Sequence, residues 1–345
     1  MSGPIFITGA SRTGTELLRT ILNRHPQIAI AAETHYFADP RARLGDPSQP
    51  TQGERDTLLD HFLRVAEHGY GLPIGAVSGP ERKALSQAWA KEGPGADALF
   101  AAFCKTQARD RGKAVWGEKT PRHLFRIDQI LAAFPDARII VCQRDPRASV
   151  ISYRDWRNNW FERDSLDTAS RSAVEKEEQR ASRSYNITVA SLLWRSCVEA
   201  GEQAVKRHGP QRIHIHRYEN LISDPEATAE ALFDWLQLPF TNDVLDVNIV
   251  NSSYTKFIND RGIDRSTANK WRERASNDET AFIEMLTRPQ MHRLGYQSEF
   301  GRPAPKFVAK EVLSLFPDIT RIFMANRTRM GSIREFLSER LKNLA

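Results

Sequence analysis

The sequence predicts an α/β fold: a three-layer sandwich in which a parallel sheet is flanked by helices on both faces. Three observations carry this. Short apolar runs at residues 4–8, 27–32 and 137–143 are each bounded by small, polar or proline residues, as strands buried on both faces are. Stretches of helical spacing lie between and after them. Strand and helix then alternate through most of the 345 residues, the pattern of a parallel sheet built by crossover connections.

Residues 4–8 form the first strand, 9–14 a small-residue turn, and 15–24 a helix with Leu17, Leu18, Ile21 and Leu22 at helical spacing. His25-Pro26 ends that helix, because the residue before a proline avoids the helical region. Residues 27–32 (QIAIAA) are the second strand. From 39 to 112 the pattern changes: Pro40, Pro47, Pro50 and Gly53 mark an irregular connection, and helical segments follow near 57–68 and 96–107, so this stretch reads as a mostly helical insertion. A strand enters a turn at 114–121, a helix follows at 124–134, and 137–143 is a strongly apolar strand. Asp145-Pro146 starts the next helix, the aspartate as cap and the proline in the first turn. Residues 156–183 are densely charged with little apolar periodicity and read as a lid-like loop reaching to 185. A long helix at 186–206, a strand at 212–216 and a helix at 225–236 behind the Asp224 cap complete the alternation. Residues 1–300 are thus expected to form one domain. Residues 301–345 form a basic tail with eight Lys/Arg against four Asp/Glu from 303 onward. In it Ile333, Phe336, Leu337, Leu341 and Leu344 line one helical face, which suits a peripheral membrane contact or a homodimer contact.

Composition narrows the function. Hydrophobic residues are 40% and charged residues 27%, a globular balance, and the net charge of +6 favours an anionic ligand. No helix–turn–helix, zinc or aromatic RNA-binding motif is evident, so nucleic acid is not the expected partner. Cys104, Cys142 and Cys197 are far apart with no metal-ligand spacing, which points to a reducing compartment and no metal. The amino terminus has neither a basic n-region nor a long apolar run, and no apolar stretch approaches the roughly 18 residues of a membrane span; a cytoplasmic protein is expected.

Chemistry enters at residues 9–15, Gly9-Ala10-Ser11-Arg12-Thr13-Gly14-Thr15, between the first strand and its helix. The glycines are five apart, a P-loop-like spacing whose backbone N–H groups converge on an anion at a helix amino end; a plain strand–helix turn is the alternative. Thr15 stands where an ATP-binding loop has its lysine, and Arg12 is the loop's cation, which argues against an ordinary P-loop kinase using ATP. A non-catalytic nucleotide-binding or nucleic-acid-binding protein is a further alternative. The second constellation is Arg144-Asp145-Pro146-Arg147 after the strand at 137–143, with Ser152 eight positions beyond Arg144. An arginine at a strand's carboxyl end faces the ligand crevice of an α/β sheet, and a guanidinium with a hydroxyl suits one phosphate.

In this order and spacing the motifs resemble those of sulfotransferases using 3′-phosphoadenosine 5′-phosphosulfate (PAPS). Residues 7–18 (ITGASRTGTELL) are similar to the family's 5′-phosphosulfate loop, 144–153 (RDPRASVISY) to its 3′-phosphate motif, and 116–121 (WGEKTP) to a lysine-bearing turn of its bacterial and Golgi-type branches. Supporting matches are 217–221 (RYENL) with Asp224-Pro225, Lys270-Trp271 and Leu294-Gly295-Tyr296. The resemblance implies sulfuryl transfer from PAPS, leaving adenosine 3′,5′-bisphosphate. It implies donor contacts from Ser11, Arg12, Thr13, Gly14, Thr15 and Glu16, from Arg144 and Ser152, and more loosely from Arg261, Arg265 and Lys270. Arg12 replaces the lysine of the small-molecule cytosolic enzymes, as in the tyrosylprotein branch and several bacterial carbohydrate-type enzymes. Glu33 and Lys119 match that branch's glutamate and lysine. Lys119 would neutralise the leaving phosphate, and Glu33 would be the general base; it could instead pair with Arg12 or a lysine. His35 is the second candidate base, and His123 a weaker one. Trp116 and Trp271 could stack on a base or belong to the core. The acceptor is expected to be a hydroxyl on a small molecule, glycan, glycoconjugate, phenol or peptide, selected by 39–112 and 156–185.

Overall fold

The computed structural model describes residues 3–68, 79–156, 168–247 and 262–330. Five strands form one sheet in the order β2-β3-β1-β4-β5: β1 (Ile5–Gly9), β2 (Ile28–Ala31), β3 (Val115–Lys119), β4 (Arg138–Gln143) and β5 (Ile213–Arg217). Every pairing is parallel, with Ile7 opposite both Lys119 and Ile140, and Ala31 opposite Glu118. The strands are near-continuous apolar runs because helices cover both faces.

The chain leaves β1 for β2 on one side and leaves β3 for β4 on the other. Such a reversal opens a crevice at the carboxyl ends of the strands, where ligands of α/β sheets bind. The helices are α1 (Thr15–Arg24), α2 (Gln52–His68), α3 (Gly79–Glu92), α4 (Ala96–Asp110), α5 (Ile127–Ala133), α6 (Pro146–Trp156), α7 (Thr168–Arg183), α8 (Ile187–His208), α9 (Tyr218–Ser223), α10 (Pro225–Leu236), α11 (Asn277–Arg293) and α12 (Pro305–Met330).

Each sheet face has its own core. On one, Phe6 of β1 packs among Tyr36, Phe37, Phe62, Phe100 and Trp116, so the helices of the 52–110 stretch bury their apolar side in the same cluster as the central strand. On the other, Ile5 and Ile7 meet Leu18, Ile21 and Leu22 of α1 and Phe233 of α10. A third cluster joins Ala148 and Ile151 of α6 to Ile187, Trp271, Phe282 and Ile283. Trp116 and Trp271 are therefore core residues.

Residues 168–183, expected as part of a loop, instead form α7. Their sequence is rich in Ala, Glu, Lys, Gln and Arg, which favour helix, and a helix needs little apolar surface when it packs along another. α7 does so on α12: Asn326 Nδ2 donates to Ser184 Oγ at 2.8 Å just past its end. Residues 157–167 lie outside the described residues, as do Ile333, Phe336, Leu337, Leu341 and Leu344. No helix of the described residues is long and apolar enough to cross a membrane.

Candidate active site

The turn after β1 is built by backbone constraints. Gly9 has φ 143°, and a Cβ there would lie 2.4 Å from the Cys142 carbonyl oxygen, so the loop passes β4 only as glycine. Thr13 Oγ1 donates to the Ala10 carbonyl at 2.7 Å and closes the turn. Arg12 holds a left-handed φ of 70°, a strained conformation concentrated at functional sites. Gly14, φ 86°, caps α1 with no side-chain hydrogen bond, so no side chain satisfies the first amides of the helix, an arrangement that favours an anion. A Cβ on Gly14 would lie 2.4 Å from the Tyr218 ring. Ser11 and Glu16 are exposed, Arg12 and Gly14 half-buried, and Thr13 and Thr15 buried.

The motif at residues 144–153 meets this turn directly. Arg12 Nε donates to Ser152 Oγ at 3.2 Å. Arg144, at the end of β4, donates from Nη1 to the Arg12 carbonyl at 3.2 Å and from Nη2 to the Thr267 carbonyl at 2.8 Å. Its guanidinium carbon lies 4.1 Å from the centroid of the Tyr218 ring, a cation–π contact. Tyr218 and Thr267 share a hydroxyl hydrogen bond of 2.7 Å, and Trp194 Nε1 donates to the Arg144 carbonyl at 2.9 Å. Arg144 is thereby held in one rotamer beside the loop.

The second cluster spans the ends of β2 and β3. Lys119 Nζ lies 2.5 Å from Glu33 Oε1 and 3.0 Å from Glu16 Oε2. Glu33 Oε2 lies 2.9 Å from His35 Nε2. Burial pushes the Glu33 carboxyl up, but Lys119 and His35 outweigh it and hold the group well below the usual carboxylate range. Burial likewise pushes Lys119 down, and the two carboxylates reverse this, so its ammonium is raised above its ordinary value. His35 is lowered, by burial against the pull of Glu33, and is neutral near pH 7. Its Nε2 then carries the proton and donates to the Glu33 carboxylate. His35 also adopts a left-handed φ of 53°.

Glu118, fully buried, sets this geometry. Its Oε1 accepts from Thr34 N at 2.8 Å, from Thr34 Oγ1 at 2.9 Å and from Thr120 Oγ1. The segment after β2 is thus pinned to the end of β3. His123 Nε2 accepts from Phe37 N at 3.1 Å, and its Nδ1 lies 3.0 Å from Glu118 Oε2, so this histidine is structural.

The remaining motifs form a frame behind the crevice. Glu219 accepts from Asp145 N at 2.8 Å and from Tyr296 OH at 2.9 Å, joining 144–147, 217–221 and 294–296. Arg147 pairs with Asp145 at 2.6 Å and Glu284 at 2.7 Å, and lies 4.7 Å from the Trp271 ring centroid. Arg265 is exposed on a short 3₁₀ turn, and Lys270 pairs with Asp264 at 2.8 Å; both flank Thr267, the partner of Arg144. Arg261 lies outside the described residues.

Residues 4–242 match the sequence model of the sulfotransferase family. The chain belongs to that family. Sulfuryl transfer is therefore its reaction class, and the kinase and non-catalytic readings are not favoured. Protein-tyrosine sulfotransferase 1 of Danio rerio is 22% identical over 333 residues, covering 87% of this chain and 76% of that protein. The sulfotransferase domain of the Synechococcus PCC 7002 olefin synthase has 18% identity, covers 86% of this chain and 97% of its own, and superposes with a TM-score of 0.54. The sulfotransferase domain of the curacin biosynthetic pathway gives 17%, 87%, 99% and 0.51. These two share the fold.

In this sulfotransferase Arg12, Arg144 and Ser152 come together in one cluster, and Glu33, His35, Lys119 and Glu16 in another. Sequence reasoning missed three contributors. Tyr218 and Thr267 fix Arg144, and Glu118 fixes the Glu33–Lys119 approach. Tyr218 lies within the RYENL match, which was its one available signal.

Proposed function

We propose that PAPS is the donor and that the acceptor hydroxyl gives its proton to Glu33. The observation that carries this is Lys119 on Glu33: a buried ammonium and a carboxylate, 2.5 Å apart, beside an amide cradle at the end of the same sheet. The residues fit a nucleotide with two separate anionic groups. The amides opening α1 and Arg12 suit the 5′ end, while Arg144 and Ser152, behind the same loop, suit the 3′-phosphate. When bound, the donor supplies the sulfuryl group and departs as adenosine 3′,5′-bisphosphate.

The protein's own groups divide the work. Arg12 and the loop amides hold anionic oxygens that are preorganised before reaction, the arrangement in which electrostatic stabilisation is largest. Lys119 offsets charge on the departing phosphate. His35, donating to Oε2, orients Glu33 so that Oε1, the oxygen facing Lys119, takes the acceptor proton. Ser11, Thr13, Gly14 and Thr15 shape the cradle, and Arg265 and Lys270 border Arg144. Residues 39–112 and 156–185 select the acceptor, a hydroxyl on a small molecule, glycan or peptide. The buried free cysteines Cys104, Cys142 and Cys197 support a reducing, cytoplasmic setting. For the tail we keep both proposals, a membrane surface or a second copy of the chain. α12 supports them with exposed Leu313 and Phe316.

A transfer assay tests this reading: radiolabelled PAPS with a panel of phenols, glycans and tyrosine peptides. Label should pass to at least one hydroxyl acceptor. No transfer to any of them, together with no affinity for adenosine 3′,5′-bisphosphate, would contradict it.

A further inference from the structure

Glu16 places a negative charge where an anionic ligand is expected. It is the second residue of α1, whose open amides and dipole favour an anion. Its Oε2 reaches Lys119 Nζ at 3.0 Å, and its Oε1 is held by Arg19 Nη2 at 2.5 Å. The Lys119 side chain is 6% exposed and that of Glu16 50%. A buried ammonium cannot stand uncompensated, so Lys119 is held by carboxylates until an anion replaces one, and an incoming anion competes with the two already there.

The two carboxylates differ in how readily they yield. Glu33 holds Lys119 at the shorter distance and is fixed from behind by His35. Glu16 holds it at the longer distance, borders solvent, and has Arg19 as a second cation. On leaving Lys119, Glu16 remains paired, whereas Glu33 would exchange an ammonium for a neutral imidazole.

We propose that Glu16 is a positioning residue that keeps Lys119 charged and in place before the donor arrives, then gives it up to the donor's phosphate and withdraws onto Arg19. This rests on the donor reading above. The nucleotide thus binds against an internal competitor. A carboxylate that merely supported the helix start would not compete in this way.

The test is calorimetry with adenosine 3′,5′-bisphosphate on the wild type, Glu16→Gln, Lys119→Met and the double variant at fixed ionic strength. Glu16→Gln should bind about two- to fivefold tighter, the weight of one half-exposed ion pair. In the Lys119→Met background the same change should bring less than half of that gain, because the contested cation is gone. Binding by Glu16→Gln that is no tighter than wild type overturns the proposal, and so does an equal gain in both backgrounds, which would be plain charge repulsion. Should Glu16→Gln not fold, Glu16→Asp, too short to span the same gap, is read by the same two criteria. Loss of the donor reading itself is separately visible, as undiminished binding by Arg144→Ala.

Discussion

The guanidinium of Arg144 donates to the backbone carbonyl of Arg12 at 3.2 Å, so the motif after β4 grips the turn after β1 across 132 residues of sequence. Because Arg12 reaches back to Ser152, the two motifs form one body. Disturbing either is expected to disturb both.

Glu33→Gln removes the proposed base while keeping its shape. Turnover should fall by about 10²- to 10⁴-fold, the usual contribution of a positioned base. Binding of adenosine 3′,5′-bisphosphate should persist, since the anion cradle is untouched. Steady-state transfer rates and calorimetry on the same preparation check both halves. Undiminished turnover would shift the role to His35 or to solvent.

The Lys119 cluster predicts a pH window for stability. Glu33 and Glu16 titrate below their unfolded values of about 4.3, so their contribution is complete above that pH and fades as pH falls through the folded values. Lys119 is raised above its unfolded value of about 10.4, so its contribution is complete below that pH and fades as pH rises through the folded value. The difference in unfolding free energy between wild type and Lys119→Met should therefore be flat from about pH 8 to 10, shrink above that, and shrink below it as the carboxylates, pushed up by burial once Lys119 is gone, take up protons in the variant. Urea unfolding across pH measures it. A difference that grows as pH rises above about 10, where Lys119 begins to lose its proton, would contradict the ion-pair account.

Glu118→Gln tests the hub. The carboxylate accepts from Thr34 and Thr120 on one oxygen and faces His123 Nδ1 on the other. His123 Nε2 accepts from Phe37 N, so Nδ1 carries its proton, and an amide NH₂ would meet N–H with N–H. A buried donor left without an acceptor costs about 1–3 kcal/mol. Unfolding should report that loss, and turnover should fall with it because Glu33 is no longer pinned beside Lys119.

The fold was legible where local signals agree. β1, its turn and α1 combine an apolar run, closely spaced glycines and a helical stripe, and α10 begins at the expected Asp224 cap. α7 was not, because a polar helix packed along another lacks the stripe that marks helices in sequence. α11 was overlooked although Ser276 and Glu279 form a capping box, the signature of a helix start. Pro289 inside that helix obscures its periodicity. At the site, the cation-bearing motifs could be read along the chain. The pairing of Lys119 with Glu16, the ring beneath Arg144 and the burial of Glu118 are tertiary facts, and a charged residue within a strand gives no local sign that it will be fully enclosed.

The central claim is that the loop after β1 and Arg144 together bind a doubly phosphorylated adenosine. Calorimetric titration of wild type and Arg144→Ala with adenosine 3′,5′-bisphosphate tests it most directly. The account predicts saturable one-to-one binding by the wild type and a roughly 10- to 150-fold loss in the variant, the value of a charge-assisted hydrogen bond. No binding by the wild type, or equal binding by both, would contradict it.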